Sequence, residues 1–275
     1  YYRKIKRRFI KQNKARLVVD KVLEIRQQMP RIGAKKLYYL LNQDLKILKI
    51  GRDKFIDILR ANHLLIAPKR SYHITTNSHH RFRKYNNQIL DLEINKPEQV
   101  WVSDITYIGK RDKPCYLSLI TDAYSKKIVG YNVSDNLNTE SSLVALRLAI
   151  KQRKNKDLVL IHHSDRGLQY CANEYQKLLS KNRIKPSMTQ NSDPYENAVA
   201  ERINGVLKQE FNIDKYNKDL PIMKQIIKET VEIYNEKRPH LSNHMLTPNQ
   251  MHQQSKLKMK TYKTKNTCKN VLASV

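Results

Sequence analysis

Asp104, Asp165 and Glu201 stand in three contexts that can each deliver a carboxylate: WVSDITYI, LVLIHHSDRGLQY and NAVAERINGVLKQEF. The first two are apolar, β-rich runs with the acid at or near a strand end. The third has helical apolar spacing at Val199, Ile203 and Val206. Thirty-five residues separate the last two acids. Carboxylates gathered in a low-dielectric site repel one another, and a bound divalent cation relieves that repulsion. Mg²⁺ suits a few hard oxygen ligands together with substrate phosphates. The pattern therefore points to two-metal phosphoryl transfer.

Other acids compete for these roles. Glu201 lies about 200° around the helix from Val199, away from the apolar stripe, with Asn197, Asn204 and Lys208 near its own face. Such a stripe of carboxylate, amides and ammonium suits metal and phosphate. Glu196 and Glu210, five residues before and nine after Glu201, point elsewhere on a regular helix and read as solvent or capping residues. Asp122, in LITDAYSK, ends a strand beside a tight turn and reads as structural. His162 and His163 precede Asp165, but imidazole suits softer metals than this oxygen-rich set, so orientation or DNA contact is their expected role.

The elements that must carry these residues follow from periodicity. Strands are expected at 100–108, 116–121 and 128–133 as an antiparallel meander, then a helix at 140–151 and a buried strand at 158–162. A helix at 173–181, a short strand at 185–188 and the polar loop 190–197 lead to the helix bearing Glu201. The order β-β-β-α-β-α-β-α predicts an α/β fold, a mixed sheet with covering helices. Ahead of it, apolar steps at Val18, Val22, Ile25 and Met29 predict a helix over 13–29. Shorter helices are expected at 34–42 and after Gly51, the last with Phe55, Ile58 and Leu59 inward and Arg52, Lys54 and Arg60 outward. Three short helices with a basic last member suggest a helix-turn-helix unit; small basic bundles of this kind also serve as protein-interaction modules, and the +18 charge of this third of the chain favours DNA.

Charge agrees with that division. The formal net charge is +28, distributed as +18 over residues 1–85, +3 over 86–212 and +7 over 213–275. A nearly balanced centre between two basic flanks implies a polyanionic partner, most simply nucleic acid. Three scattered cysteines exclude a disulfide framework and point to a reducing compartment, and no Cys-x-x-Cys pair supports a zinc module. No apolar run is long enough to cross a membrane and no secretory signal opens the chain. The expected organisation is a DNA-binding helical unit at 1–66, an arm at 67–97, a catalytic core at 98–212, and a C-terminal helix with basic tail at 213–275.

The ordered motifs WVSDITYI, HHSDRGLQY, SDPYENAVAERINGVLKQE and YNEKRPHLSNHMLTPNQ resemble those of the OrfB-type transposases of the bacterial insertion-sequence-three family, whose catalytic domain is similar to retroviral integrases. The likeness spans about residues 98–252, with a weaker match of the first 65 to that family's helix-turn-helix segment. It implies a ribonuclease-H-like fold with Asp104, Asp165 and Glu201 binding two Mg²⁺ or Mn²⁺ ions. It implies cleavage and strand transfer at the terminal inverted repeats of a mobile element, on double-stranded DNA, through a circular DNA intermediate and as a homo-oligomer in the bacterial cytoplasm. It further implies an upstream OrfA product or frameshift fusion, which would fit a chain opening without Met. No His/Cys zinc domain of the retroviral kind precedes the core, so end recognition falls to the helix-turn-helix. DNA contacts are expected at Lys208, Arg202, Asn197, Arg52, Lys54 and Arg60, and at Arg238 and His240 of the C-terminal motif. A nuclease of the same fold would hydrolyse without joining strands. A binding-only regulator would need a dead core, against which the intact acid triad argues.

Overall fold

A computed structural model describes residues 1–67, 85–90, 92–109, 114–190, 197–216 and 218–260. Four helices open the chain: α1 (Tyr2–Gln28), α2 (Ala34–Leu40), α3 (Asn42–Ile47) and α4 (Arg52–Ala61). Helix α1 starts eleven residues earlier than the apolar stripe predicts. Its first turns are a basic, exposed run free of Gly and Pro, so nothing ends the helix where the burial of Val18 and Val22 stops. Helix α3, not foreseen as separate, buries Leu45. As expected, α4 turns Phe55, Ile58 and Leu59 inward.

The five-stranded sheet runs β3-β2-β1-β4-β5, from β1 (Val100–Ile108), β2 (Cys115–Asp122), β3 (Ile128–Ser134), β4 (Leu160–Ser164) and β5 (Ile184–Met188). The first three strands pair antiparallel, while β4 lies parallel to both β1 and β5. One face is covered by α5 (Thr139–Gln152), α6 (Leu168–Cys171) and α7 (Asn173–Lys181), whose Leu143, Leu146, Tyr175 and Leu179 join Trp101 and Ile120 in one cluster. Against the other face lie α8 (Ala198–Glu210) and α9 (Leu220–Glu236), and α10 (Pro248–His252) closes the described chain. The apolar residues of α1–α4 are continuous with those of α8, α9 and the sheet, so the N-terminal helices share a core with the α/β unit.

Close approach of α5 to β3 depends on Gly130, where an added Cβ would lie 2.2 Å from the Ala145 carbonyl oxygen and 2.9 Å from Ala149 Cβ. Neither backbone nor neighbouring Cβ can swing away, so Gly130→Ala is expected to cost about 2–3 kcal/mol, read as a lower urea midpoint at unchanged slope.

Part of the expected arm is described, and it lies against the core. The Gln88 N–H donates to Ser187 Oγ at 2.9 Å, and Ile89, Leu92 and Ile94 pack against Val100, Val102, Ala123 and Ala200. The polar cluster at 75–80, and Glu196 with most of the loop before α8, lie outside the described residues. Among the described residues no helix is long and apolar enough to cross a membrane.

Candidate active site

Strand register explains why two of the acids meet. In the parallel pair β1·β4, Ser103 is opposite Ser164. The next residues along, Asp104 and Asp165, therefore emerge side by side, with neighbouring strands about 4.8 Å apart. Both carboxylates are fixed locally. Asp104 Oδ1 accepts from the Ile105 N–H at 2.9 Å and its Oδ2 from Asn204 Nδ2 of α8 at 2.7 Å, while Asp165 Oδ1 accepts from the Gly167 N–H at 3.0 Å. Asn197, at the start of α8, donates from Nδ2 to the Ser103 carbonyl oxygen at 3.2 Å, so two amides tie this helix to β1.

The electrostatics are those of a crowded anionic site. Burial, and then the neighbouring Asp165 charge, push Asp104 up to about 7, against the bonds from Asn204 and Ile105; Glu201 adds a smaller repulsion. Glu201 itself is raised by burial, yet it stays on the exposed rim of α8. Lys208, one face along, has its ammonium lowered by burial and supported by Asp104 and Asp214. Asn204 and Lys208 thus do fall on the acid side of α8.

Hard oxygen donors and surplus negative charge suit a divalent cation. Beside the pair, Asn197 Oδ1 and Asn204 Oδ1 are buried with no hydrogen-bond partner among the described residues. The Asp104–Asp165 pair fits such an ion. Among the described residues no three acids, imidazoles or thiols are gathered as a group that could hold a metal ion; Glu201 is exposed and its charge acts on Asp104 more weakly than that of Asp165.

Two residues missed in the sequence brace the segments that carry the acids. Tyr170 is buried, its OH accepting from Ser103 Oγ at 3.1 Å, and burial with the fields of Tyr175, Asp165 and Asp104 holds its phenol protonated. Arg166 donates from Nε to the Thr189 carbonyl oxygen at 2.7 Å and from Nη2 to that of Gln190, pinning the chain just before the loop. The run DRGLQY carries both side chains, but only tertiary pairing reveals what they touch.

Asp122 is structural, as expected. Its carboxylate accepts from the N–H groups of Glu98 and Ser125, both at 2.8 Å, and lies 3.7 Å from His252 Nδ1. Burial would raise it, but His252 and Ser125 hold it below the usual carboxylate range. His162 is buried against Tyr175, at 2.9 Å from its OH, and burial lowers it to about 3; His163 meets Ser187 Oγ at 2.9 Å.

Four expectations need correction. Asn197, expected at DNA, is buried with its amide bonded to the Ser103 carbonyl oxygen of β1. Glu210 is no solvent residue: it accepts from Lys36 and Arg238. Arg238 does not face DNA, since it is 1% exposed and its guanidinium is engaged by Glu210. His240 is buried with Nε2 3.2 Å from Tyr234 OH, and burial beside Arg238 lowers it to about 2, so it carries no charge for a phosphate. The C-terminal motif is instead a clamp: the Asn235 side chain bonds both the N–H and the carbonyl of Ile128, and Asn243 donates to the Ser125 carbonyl. Arg52, Lys54, Arg60 and Arg202 remain exposed, with Arg52 and Arg60 bonded to Asp53 and Asp57.

The sheet order, with Asp104 in the middle of β1 and not at its end as expected and Asp165 just past β4, defines a ribonuclease-H-like fold of the integrase class. Two integrase core domain models match the chain, over residues 94–194 and 182–248. The insertion element IS600 31 kDa protein of Shigella sonnei is 34% identical over 236 residues, covering 84% of each chain. Transposase InsF for insertion sequence IS3fB of Escherichia coli is 30% identical over 166 residues, 60% of this chain and 57% of that protein. A chain of the simian T-cell lymphotropic virus intasome, solved in complex with PP2A regulatory subunit B56 gamma, shares the fold at TM-score 0.51 and 17% identity, covering 84% of this chain and 78% of that one. The chain belongs to the insertion-sequence-three family of transposases, with an integrase catalytic core. Its function is DNA transposition as the transposase of an insertion sequence.

Proposed function

We propose that this transposase cuts and joins DNA strands at the inverted repeats of its element, with Asp104, Asp165 and Glu201 as the acids that hold two Mg²⁺ or Mn²⁺ ions. The observation that carries the reading is the β1·β4 register, which sets Asp104 beside Asp165; burial, and then that neighbouring charge, raise Asp104 to about 7. Bound cations would supply Lewis acidity for activating water or a DNA 3′-hydroxyl and for stabilising the leaving oxygen at phosphorus. The chain's own groups supply the rest. Asn204 and Asn197 orient β1 and α8 about the acids. Lys208 offers its ammonium to a phosphate near the scissile bond. Tyr170 anchors Ser103 of β1 from the opposite face of the sheet with a neutral hydroxyl.

Substrate recognition lies outside the acids. Residues 1–66 act as a helix-turn-helix unit whose α4 presents Arg52, Lys54 and Arg60 to the element end, and Arg202 adds a further cation beside the core. Residues 67–97 form the arm, 98–212 the catalytic core and 213–275 the C-terminal clamp and basic tail. The transposase works as a homo-oligomer on DNA, together with or fused to an upstream OrfA product.

Glu201→Gln tests the reading. The variant is expected to keep its far-UV circular dichroism and its affinity for terminal-repeat DNA while losing Mg²⁺-dependent nicking and joining. Unchanged activity would remove Glu201 from the site. Cleavage without joining by the unaltered protein would make it a nuclease.

A further inference from the structure

The helix that carries Glu201 is gripped at its other end by an ion cluster that the chemistry above does not use. Glu210 Oε1 accepts from Lys36 Nζ of α2 at 2.7 Å and from Arg238 Nη2 at 2.8 Å, and its Oε2 accepts from Arg238 Nε at 2.9 Å. The backbone adds a fourth bond, from the Arg31 N–H to the Glu210 carbonyl oxygen at 2.9 Å. Lys36 and Arg238 are 7% and 1% exposed. Three segments remote in sequence, the N-terminal helices, α8 and the end of α9, thus converge on one carboxylate.

Both partners' pKa values fall, which favours the charge on Glu210 and opposes the charge on Lys36. Burial would raise Glu210, but two cations hold it below the ordinary carboxylate range. Lys36 has one anion against burial and the fields of Arg238 and Arg202, and falls to about 8. The cluster therefore holds one cation more than it can neutralise. Apolar residues of similar volume commonly stabilise as much as a buried ion pair, so stability alone does not account for it. Bidentate and fixed-angle bonds supply something apolar packing lacks, a single register.

Register is what a catalytic helix requires. Glu210 follows Glu201 by nine residues, about 13.5 Å along the axis and half a turn around it. Side-chain ends lie about 5–6 Å from the axis, so a roll of about 10° displaces the Glu201 carboxylate by about 1 Å. Misplacement on that scale can cost about 10²-fold in rate.

We propose that Lys36 and Glu210 are positioning residues: docking of the N-terminal helices onto the end of α8 sets the roll that brings Glu201 to the Asp104–Asp165 pair. The inference rests on Glu201 being the third acid. It makes the unit that would read element ends and the helix that carries the acid one mechanical piece.

Lys36→Met is the decisive variant, because it leaves a neutral Glu210–Arg238 pair and relieves the surplus charge. With duplex oligonucleotides bearing the inverted repeat that flanks the gene, kcat for joining should fall about tenfold or more while KM for DNA stays within about twofold. Mn²⁺ affinity of the DNA-free protein, measured by calorimetry, should weaken several-fold, and Lys36→Arg should restore both. Glu210→Gln, which keeps shape and loses charge, should show the same split and carries the test if Lys36→Met fails to fold. Wild-type kcat and Mn²⁺ affinity in either folded variant, or a loss confined to DNA affinity, would overturn the proposal. Glu201→Gln separates the premises: if it joins strands normally the third-acid reading fails, whatever Lys36 does.

Discussion

Asp104→Asn is expected to lower strand joining by 10³-fold or more and, at the same time, to make the metal-free protein more stable. The activity loss follows from removing one of two carboxylates that the β1·β4 register sets side by side. The stability gain follows from linkage. The folded-state pKa of Asp104 is about 7 against an ordinary 3.8, so between those values the native state retains a proton that the unfolded chain has released. Stability therefore falls as pH rises through that window, and the full penalty stands above pH 7. A rise of that size corresponds to about 4 kcal/mol at about 1.36 kcal/mol per pH unit; with the mouth of the site open to water, about 2 kcal/mol is expected. Asparagine carries no charge, and its one carbonyl oxygen keeps the bond from Asn204 while, like a protonated Asp104, giving up an acceptor toward the Ile105 N–H. The Tm difference between variant and wild type should be near zero at pH 4 and grow to about 4–8 °C at pH 8. Millimolar Mg²⁺ at pH 8 should raise the Tm of the wild type and not of the variant. Equal melting at both pH values would show that Asp104 is not strained by its neighbours.

What the sequence made legible divides along physical lines. Asp104 and Asp165 stood out because an acid in or just after an apolar strand is a local pattern; Asp165 follows the end of β4, whereas Asp104 lies in the middle of β1, and the parallel pairing brings the two together. The sheet, α5, α7 and α8 were legible for the same reason: each is written in its own periodicity. The Glu201 face of α8 also followed from helical phase, which correctly turned Glu210 away from the acids. Phase could not say what Glu210 meets, since its partners lie 174 and 28 residues away in sequence. Arg238 and His240 sit in a motif whose type, a cation and an imidazole after a helix in a basic segment, is that of a DNA contact. Only packing distinguishes a cation that reaches for phosphate from one consumed by a buried carboxylate. The early start of α1 was hidden because its first turns bury nothing, leaving no stripe to read.

Arg238→Ala should be among the most destabilising single changes in the chain, at about 4 kcal/mol. Arg238 is among the largest fully buried side chains, stacked 5.6 Å from the Tyr234 ring centroid and bonded twice to Glu210. Truncation opens a cavity in the core between α8 and α9 and leaves Glu210 with Lys36 alone, and each defect is costly: about 2–5 kcal/mol for a large core truncation and about 3–5 for a broken buried pair, terms that overlap at one site. A DNA-contacting arginine behaves otherwise. Its loss would leave the urea midpoint within about 0.5 kcal/mol of wild type and flatten the salt dependence of DNA binding. Denaturant unfolding and salt titration of the same variant therefore separate the two roles. The triple change Lys36→Met, Glu210→Met and Arg238→Met removes all three charges of the cluster while filling the volume, and should recover much of the lost stability. It should not recover joining, because an apolar contact holds α8 against the core without fixing its roll. A triple variant as active as the wild type would show that packing alone sets the position of Glu201.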